Sequence, residues 1–419
     1  MVQLKEKLTD ITIVIFVSSA KKQTLTPLIE NKLPIFFLVA GKRIIDWLYS
    51  MAAKIGIEKF ILLYEKGELA ALREQLSNYQ EISEPIDKIG NFTLFAYESS
   101  EGLSNNEITA LQDQLTKYSL WIDGNVIFSE RFFHEFLQAG LKAEKLFLIK
   151  QNEKEINEES AGIGFLERQY LDYALMGAKT VSDIFKRVRE EISKESKITT
   201  PYVVKETEFW QINYPWELLD ANQTLITYIE KKLEGKVEKG VTIIGKVAIG
   251  KGTRVRAGSY LEGPLTIGED CDIGPNCYLR KGVVLGRKVR VGNACELKNT
   301  IVEEGTHIAH LSYVGDSIIG ANCNFGAGTI TGNLRLDNQT VKSKVGTMVL
   351  STGRRKVGAI IGDNVKTAIN VYFMPGVIVG NNAAIGTSAI ITRNVPAQTF
   401  VFVEQQLQTR AWKPKKTKK

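Results

Sequence analysis

The chain has 419 residues, enough for two or three domains at roughly 100–200 residues each. Hydrophobic residues make up 44% and charged residues 24%, the balance of an ordinary globular protein. No apolar run approaches the roughly 20 residues that cross a bilayer, and "MVQLKEKLTDITIVIFVSSA" is too charged ahead of its short apolar run for a signal peptide, so a cytoplasmic protein with no membrane contact is expected. The net charge of +7 suggests nucleic acid until it is located: Arg410, Lys413, Lys415, Lys416, Lys418 and Lys419 place six positive charges in the last ten residues. The body is therefore near neutral, and no basic face for nucleic acid is expected. The tail, 406–419, is either a solvated end or a contact for an anionic ligand. Cys271, Cys277, Cys295 and Cys323 fit neither a zinc site nor a disulfide scaffold and read as small buried hydrophobes.

In chain order, the first half alternates strand-like and helix-like runs. "ITIVIFV" is followed by "RIIDWLYSMAAKIG", "KFILLYEK", "LAALREQLSNY", "NFTLFAY", "SLWIDGNVIF", "FFHEFLQAGL" and "KLFLIKQ". Apolar β-rich runs separated by amphipathic runs predict an α/β sheet of the doubly wound kind over 1–222. A helix in "QTLITYIEKKLEG" (223–235) is expected within a linker spanning 223–240.

From 241 to 405 the period changes. Aliphatic residues recur every sixth position at Ile243, Ile249, Val255, Leu261, Ile267, Ile273, Leu279, Leu285, Val291 and Leu297. The phase slips by one to Val302, Ile308 and Val314, slips again to Ile319 and Phe325, and resumes at Ile361, Thr367, Phe373, Val379, Ile385 and Ile391. One hexad cannot bury its own aliphatic side chain, so hexads must stack as coils of a parallel β-helix. Residues 334–358 interrupt the ladder, either as a functional loop over one face or as a tolerated surface insertion.

This arrangement resembles the bifunctional sugar-1-phosphate nucleotidyltransferase and amino-sugar-1-phosphate N-acetyltransferase family of UDP-N-acetylglucosamine biosynthesis, particularly its archaeal type. The most specific stretch is "ELKNTIVEEGTHIAHLSYVGDSIIGANCNFGAGTITGNLR"; the first half matches in layout and in "WQINYPWELLDANQ". The resemblance implies a Rossmann-like nucleotidyltransferase domain followed by a left-handed β-helix, a homotrimer, and acetyl-CoA as acyl donor to glucosamine-1-phosphate or galactosamine-1-phosphate. No metal is expected for acetyl transfer. It makes His310 the general base, a task suited to an imidazole near neutral pH. Arg280 and Lys298 are implied to hold the phosphate, and Tyr313, Asn324 and Asn333 to contact the amino sugar. Where the family often has an aromatic residue after the last of these, this chain has Leu334.

The nucleotidyltransferase half departs from the family. A Gly-rich loop lets backbone N–H groups approach a triphosphate, but "FVSSAKKQTLTPLIENKLPIFF" contains no Gly. Ala20 and Lys22 stand where Gly is expected, Thr24 where Arg is, and Pro34 where Lys is. Asn125 and Gln211 replace two acidic Mg²⁺ ligands, and neutral amides lack the charge a hard dication requires; Asp123 is a nearby carboxylate. Loss of nucleotidyl transfer is therefore expected. The competing reading is a non-catalytic paralogue that senses a sugar nucleotide or serves as a scaffold. A zinc carbonic anhydrase needs three clustered His ligands, whereas the three here, His134, His307 and His310, are split between the halves.

Overall fold

The computed structural model describes residues 8, 10–17, 22–30, 32–76, 88–89, 92–97, 103–143, 147–150, 162–171 and 208–412, with isolated residues between 175 and 203. Ala20 and tail residues 413–419 lie outside them. In the first half, Ile11–Val17 is a strand buried along its whole length. It pairs in parallel with Lys59–Glu65 on one side and Tyr118–Asp123 on the other. Burial on both faces explains why "ITIVIFV" is apolar throughout rather than alternating. Phe92–Tyr97 extends the parallel part, while Ile163–Glu167 joins the far side antiparallel, giving an eight-stranded mixed sheet. The helices Ile44–Lys54 and Glu130–Ala143 fall in the expected stretches. The result is the doubly wound domain the sequence predicts.

The second half is a parallel β-helix of three sheets with eight, nine and eight short strands. Its registers follow the hexad ladder. On one sheet Ile267 pairs with Leu285, Leu285 with Val302, Val302 with Ile319 and Ile319 with Ile361. These aliphatics, with all four cysteines, form one continuous buried core. Thr331 fills the bore place between Phe325 and the excursion, pairing with Phe373.

The linking helix differs from expectation: it runs Glu217–Leu225, with a 3₁₀ turn at Ile226–Tyr228, not over 223–235. Thr224, Ile226, Thr227 and Ile229 are β-branched and favour helix weakly. Lys232–Leu233 and Lys236–Val237 already pair with the coil beyond. Gly235 lies so close to that coil that a Cβ would sit 2.5 Å from the Thr253 carbonyl oxygen.

The halves are packed together. Val284, Ile301 and Ile318, on the outside of one β-helix face, belong to the apolar core of the first domain. Asn222 of the linking helix is buried, accepting from Ala40 N–H at 2.9 Å and donating Nδ2 to the Gly282 carbonyl at 2.9 Å. At the neighbouring turn, Gly41 has φ +82° and a Cβ there would meet Thr266 at 2.8 Å. Lys32 pairs with Glu303 at 2.9 Å.

Candidate active site

Both phase slips fall at the same edge of the prism. Six residues separate Leu279 from Leu285, but five separate Leu297 from Val302 and Val314 from Ile319. The shortened corners turn through Asn299 at φ 46° and Asp316 at φ 49°. Small hydroxyl residues occupy their inner positions: Thr300 Oγ1 donates to the Lys298 carbonyl at 2.8 Å, and Ser317 Oγ to the Gly315 carbonyl at 2.8 Å. The third successive corner at this edge holds the excursion.

That excursion is not a free loop. It folds into the hairpin Lys342–Val345 and Met348–Ser351, and its Val341, Val345 and Val357 pack with Trp216 and Ile360. Val357 N–H donates to the Asn333 carbonyl at 3.1 Å and Gly358 N–H to that of Asp316 at 2.7 Å. The insertion therefore closes upon the edge it leaves.

Among the resemblance-derived residues, Lys298, Tyr313 and Asn333 converge through Asp316, which sequence reasoning missed. Asn333 Nδ2 donates to Asp316 Oδ2 at 2.6 Å and to the Tyr313 hydroxyl at 3.2 Å. Lys298 Nζ lies 3.5 Å from the same carboxylate oxygen, and Asn299 Nδ2 donates to the other at 2.7 Å. Burial, then the nearby Asp316 and Glu296 carboxylates, push the Tyr313 phenol up. It therefore keeps its proton and can donate while accepting from Asn333. Arg280 is on the same face, donating to Glu296 Oε1 at 2.8 Å and lying 5.4 Å from the Tyr278 ring; Glu296 is the register partner of Tyr313.

His310 and Asn324 sit on the adjacent face, in neighbouring strands, both exposed. The register partner of Asn324 is His307, and that of His310 is Asn293. The His310 carbonyl accepts from Ser312 Oγ and Gly328 N–H. Among the described residues, its ring makes no hydrogen bond or ion pair. Leu311, at the turn between the faces, is 64% exposed.

Two family models match parts of the C-terminal half. Residues 261–373 match the GMPPB C-terminal domain family, and residues 358–393 match the bacterial transferase hexapeptide (six repeats). Over nearly the whole chain, it is 33% identical to the bifunctional protein GlmU of Methanocaldococcus jannaschii, covering 94% of this chain and 98% of that relative. The chain belongs to the bifunctional GlmU family. Its second half is the left-handed parallel β-helix of hexapeptide repeats. A GlmU of Methanococcus maripaludis strain C7 is 54% identical over 201 residues, 48% of each chain. A Sulfurisphaera tokodaii protein named bifunctional sugar-1-phosphate nucleotidylyltransferase/acetyltransferase is 43% identical over 203 residues, 48% of this chain and 51% of that one.

The positions compared with the nucleotidyltransferase half of the family are also placed. Asn125 is buried, and its Nδ2 donates to the Ile212 carbonyl at 2.9 Å. Gln211 and Asp123 face each other across Gly162, where a Cβ would lie 2.7 Å from Asp123 Oδ2 and 2.8 Å from Gln211 Nε2. Pro34 is buried and opens a 3₁₀ turn through Phe36. Thr24 lies in the short helix Lys22–Leu25. Among the described residues there is no group of three His, Cys, Asp or Glu disposed to hold a metal, and no helix long and apolar enough to cross a membrane. His134 stands on the helix Glu130–Ala143 beside Glu130.

Proposed function

We propose that the chain transfers the acetyl group of acetyl-CoA to the amine of glucosamine-1-phosphate or galactosamine-1-phosphate in UDP-N-acetylhexosamine biosynthesis, with its nucleotidyltransferase half inactive. The observation that carries the reading is the Lys298–Asp316–Asn333–Tyr313 network. It offers a cation, a carboxylate, an amide and a protonated phenol on one face, suited to a phosphorylated polyhydroxyl ring. Arg280 and Lys298 supply charge toward the phosphate, and Asn324 a further polar contact.

The amine nitrogen attacks the thioester carbonyl carbon, and the His310 ring takes the proton that nitrogen loses. The tetrahedral intermediate then collapses with cleavage of the carbon–sulfur bond. Coenzyme A leaves as a thiolate and is protonated. His310 is on the face next to the sugar network and beside the exposed Leu311, which supports a homotrimer in which a second copy of the chain covers that corner. The domain limits follow as 1–222, 223–240, 241–405 and 406–419, with the coil strands beginning inside the linker.

Inactivity of the first half is supported by the spent amide of Asn125, by Gln211 in place of a carboxylate, and by buried Pro34 in place of a lysine. Two assays test the reading on the pure protein. Free thiol should rise when acetyl-CoA is mixed with either hexosamine 1-phosphate. Pyrophosphate should not rise above background with UTP, Mg²⁺ and a sugar 1-phosphate. Absence of thiol release would favour the sensor or scaffold role, and pyrophosphate release would refute loss of the first activity.

A further inference from the structure

Asn125 and Gln211, which stand where the resemblance expects acidic metal ligands, lie on a short path to the polar network of the second half. Gln211 ends the strand Phe209–Gln211 and pairs with Val126. The next residue, Ile212, is fully buried and is clamped by Asn125. Its N–H donates to the Asn125 carbonyl at 2.8 Å, and its carbonyl accepts from Asn125 Nδ2 at 2.9 Å. An aspartate at 125 would set a carboxylate oxygen against the Ile212 carbonyl, two acceptors facing each other away from water. The change that removes a metal ligand is therefore the change that makes the clamp.

Four residues beyond Ile212 is Trp216. The turn between them is fixed by Glu217 Oε2, which accepts from the N–H groups of Asn213 at 2.6 Å and Tyr214 at 3.0 Å. The Tyr214 and Trp216 rings stack with centroids 4.9 Å apart at 3°. Trp216 is buried and packs with Val341, Val345 and Val357 of the excursion. Val357 is the residue whose N–H donates to the Asn333 carbonyl, and Gly358 donates to that of Asp316. Ala359 N–H follows, donating to Ser317 Oγ at 3.1 Å. The junction has no slack, because a Cβ on Gly358 would collide with the Gly315 carbonyl oxygen and with Ser317 Oγ. Close packing of this kind transmits a displacement rather than absorbing it. Asn333 and Asp316 thus take their backbone positions from a segment whose apolar support is Trp216.

We propose that Trp216, a first-domain residue anchored through Ile212 to Asn125, is a positioning residue for the acetyl transfer. It fixes the excursion against Asn333 and Asp316, so that their side chains meet the amino sugar in one arrangement. Asn125 then serves the second half of the chain, whatever the first half does. The catalytic consequence rests on the proposed acetyl transfer, whereas the mechanical link from Asn125 to the amides of 357–359 does not.

The test is amide hydrogen exchange of the full chain, in EDTA so that no metal meets the variant carboxylate. Wild type is compared with Asn125→Asp, Trp216→Phe, Trp216→Ala and Leu111→Ala, the last in the apolar cluster on the opposite face of the first sheet. Exchange over 354–362 should quicken about tenfold or more in Asn125→Asp and Trp216→Ala, the scale of one buried hydrogen bond left unmade. Trp216→Phe keeps a ring against the valines and should stay near wild type. Exchange over 261–285, in the coils, should change in none of them, and Leu111→Ala should leave both stretches as they are. In the transfer assay the two quickened variants should raise KM for glucosamine-1-phosphate by a like factor, with KM for acetyl-CoA unchanged and Trp216→Phe restoring the wild-type value. Should Trp216→Ala not be recovered folded, Asn125→Asp decides alone. Unchanged exchange over 354–362 in Asn125→Asp, or an equal gain in Leu111→Ala, would overturn the link. Quickened exchange with an unaltered KM would overturn the positioning role. A wild type that releases no thiol from acetyl-CoA would refute the acetyl transfer and the role with it, while the exchange result would still establish or refute the link.

Discussion

Asn222 is the side chain on which the docking of the two halves can be tested most directly. It is 0% exposed, and its amide satisfies the Ala40 N–H on one side and the Gly282 carbonyl on the other. Asn222→Ala would leave both backbone groups buried and unpaired, at about 1–3 kcal/mol each, while alanine regains roughly 0.5 kcal/mol of helix propensity. The net loss is then about 2–5 kcal/mol. It should fall on the contact between domains, because the β-helix bore is untouched. Urea unfolding followed by tryptophan fluorescence should show the midpoint of the first-domain transition falling. Asn222→Asp keeps the acceptor for Ala40 but sets a carboxylate oxygen against the Gly282 carbonyl, so it should rescue nothing. An Asn222→Ala protein unfolding within about 0.5 kcal/mol of wild type, the range of an ordinary surface change, would refute this account of the interface.

The four cysteines should be silent to a thiol reagent in the folded protein at pH 8 and react as four equivalents in denaturant, since all are buried. Burial pushes Cys271 and Cys277 up to about 11 and Cys323 to about 12, from an ordinary value of 9.0. The unfolded chain then releases thiol protons that the folded chain keeps, so stability is full below about pH 8.5 and falls as pH rises toward 11 and beyond, measurable as urea midpoints between pH 8 and 10.5. Gly292→Ala places a Cβ 1.9 Å from the Ala309 carbonyl oxygen of the next coil; backbone on backbone cannot give way, and the variant should be recovered unfolded or aggregated, as circular dichroism would record. In the transfer assay, His310→Ala should lower kcat by roughly a hundredfold or more, whereas Lys298→Ala should act chiefly on KM for the sugar phosphate. Near-full turnover of His310→Ala between pH 6 and 9 would remove His310 from the role of base.

The β-helix was legible because burial alone dictates it. A bore that accepts one inward side chain per short strand enforces an aliphatic at each such place, so Ile249, Ile267 and Leu285 could be paired before any coordinates. The strands of the first domain were legible for the same reason, being apolar on both faces. The linking helix was misplaced because Gln223 to Leu233 carries helical spacing while its β-branched residues and the contact at Gly235 favour extended chain. Asp316 was missed because its importance comes from stacking: the residues that meet on it, Lys298, Asn299 and Asn333, belong to the coils on either side. The packing of Trp216 with Val357 was out of reach in another way, since nothing local indicates that a long excursion returns to the corner it left. Yet a signal was present. Both slips of the ladder and its one interruption fall at consecutive passages of the same edge, and threading the hexads three to a coil would have brought them together.

That coincidence has a physical basis. A stack of regular hexads presents a straight edge, with side chains at equivalent corners one above another and no place for a ligand to sit. Removing one residue from a corner, as at Asn299 and again at Asp316, draws the backbone inward; the inward place then suits a short hydroxyl side chain better than an aliphatic one. Thr300 and Ser317 fill it and take up the corner's backbone hydrogen bonds. The recess leaves room for Lys298 and Asp316 to meet without being driven into the bore, and Gly315 lets Tyr313 lie along the face, since a Cβ there would come within 2.5 Å of the Tyr313 hydroxyl. The missing wall is then rebuilt from elsewhere, by the linking helix on one side and by the excursion on the other. The rigid coil supplies fixed positions for the polar network, while the excursion is held against it by hydrogen bonds at Asn333 and Asp316. A site of this kind depends on the first domain even if that domain performs no chemistry, because Asp220 and Asn222 of its connecting helix position Arg354 and the Gly282 corner.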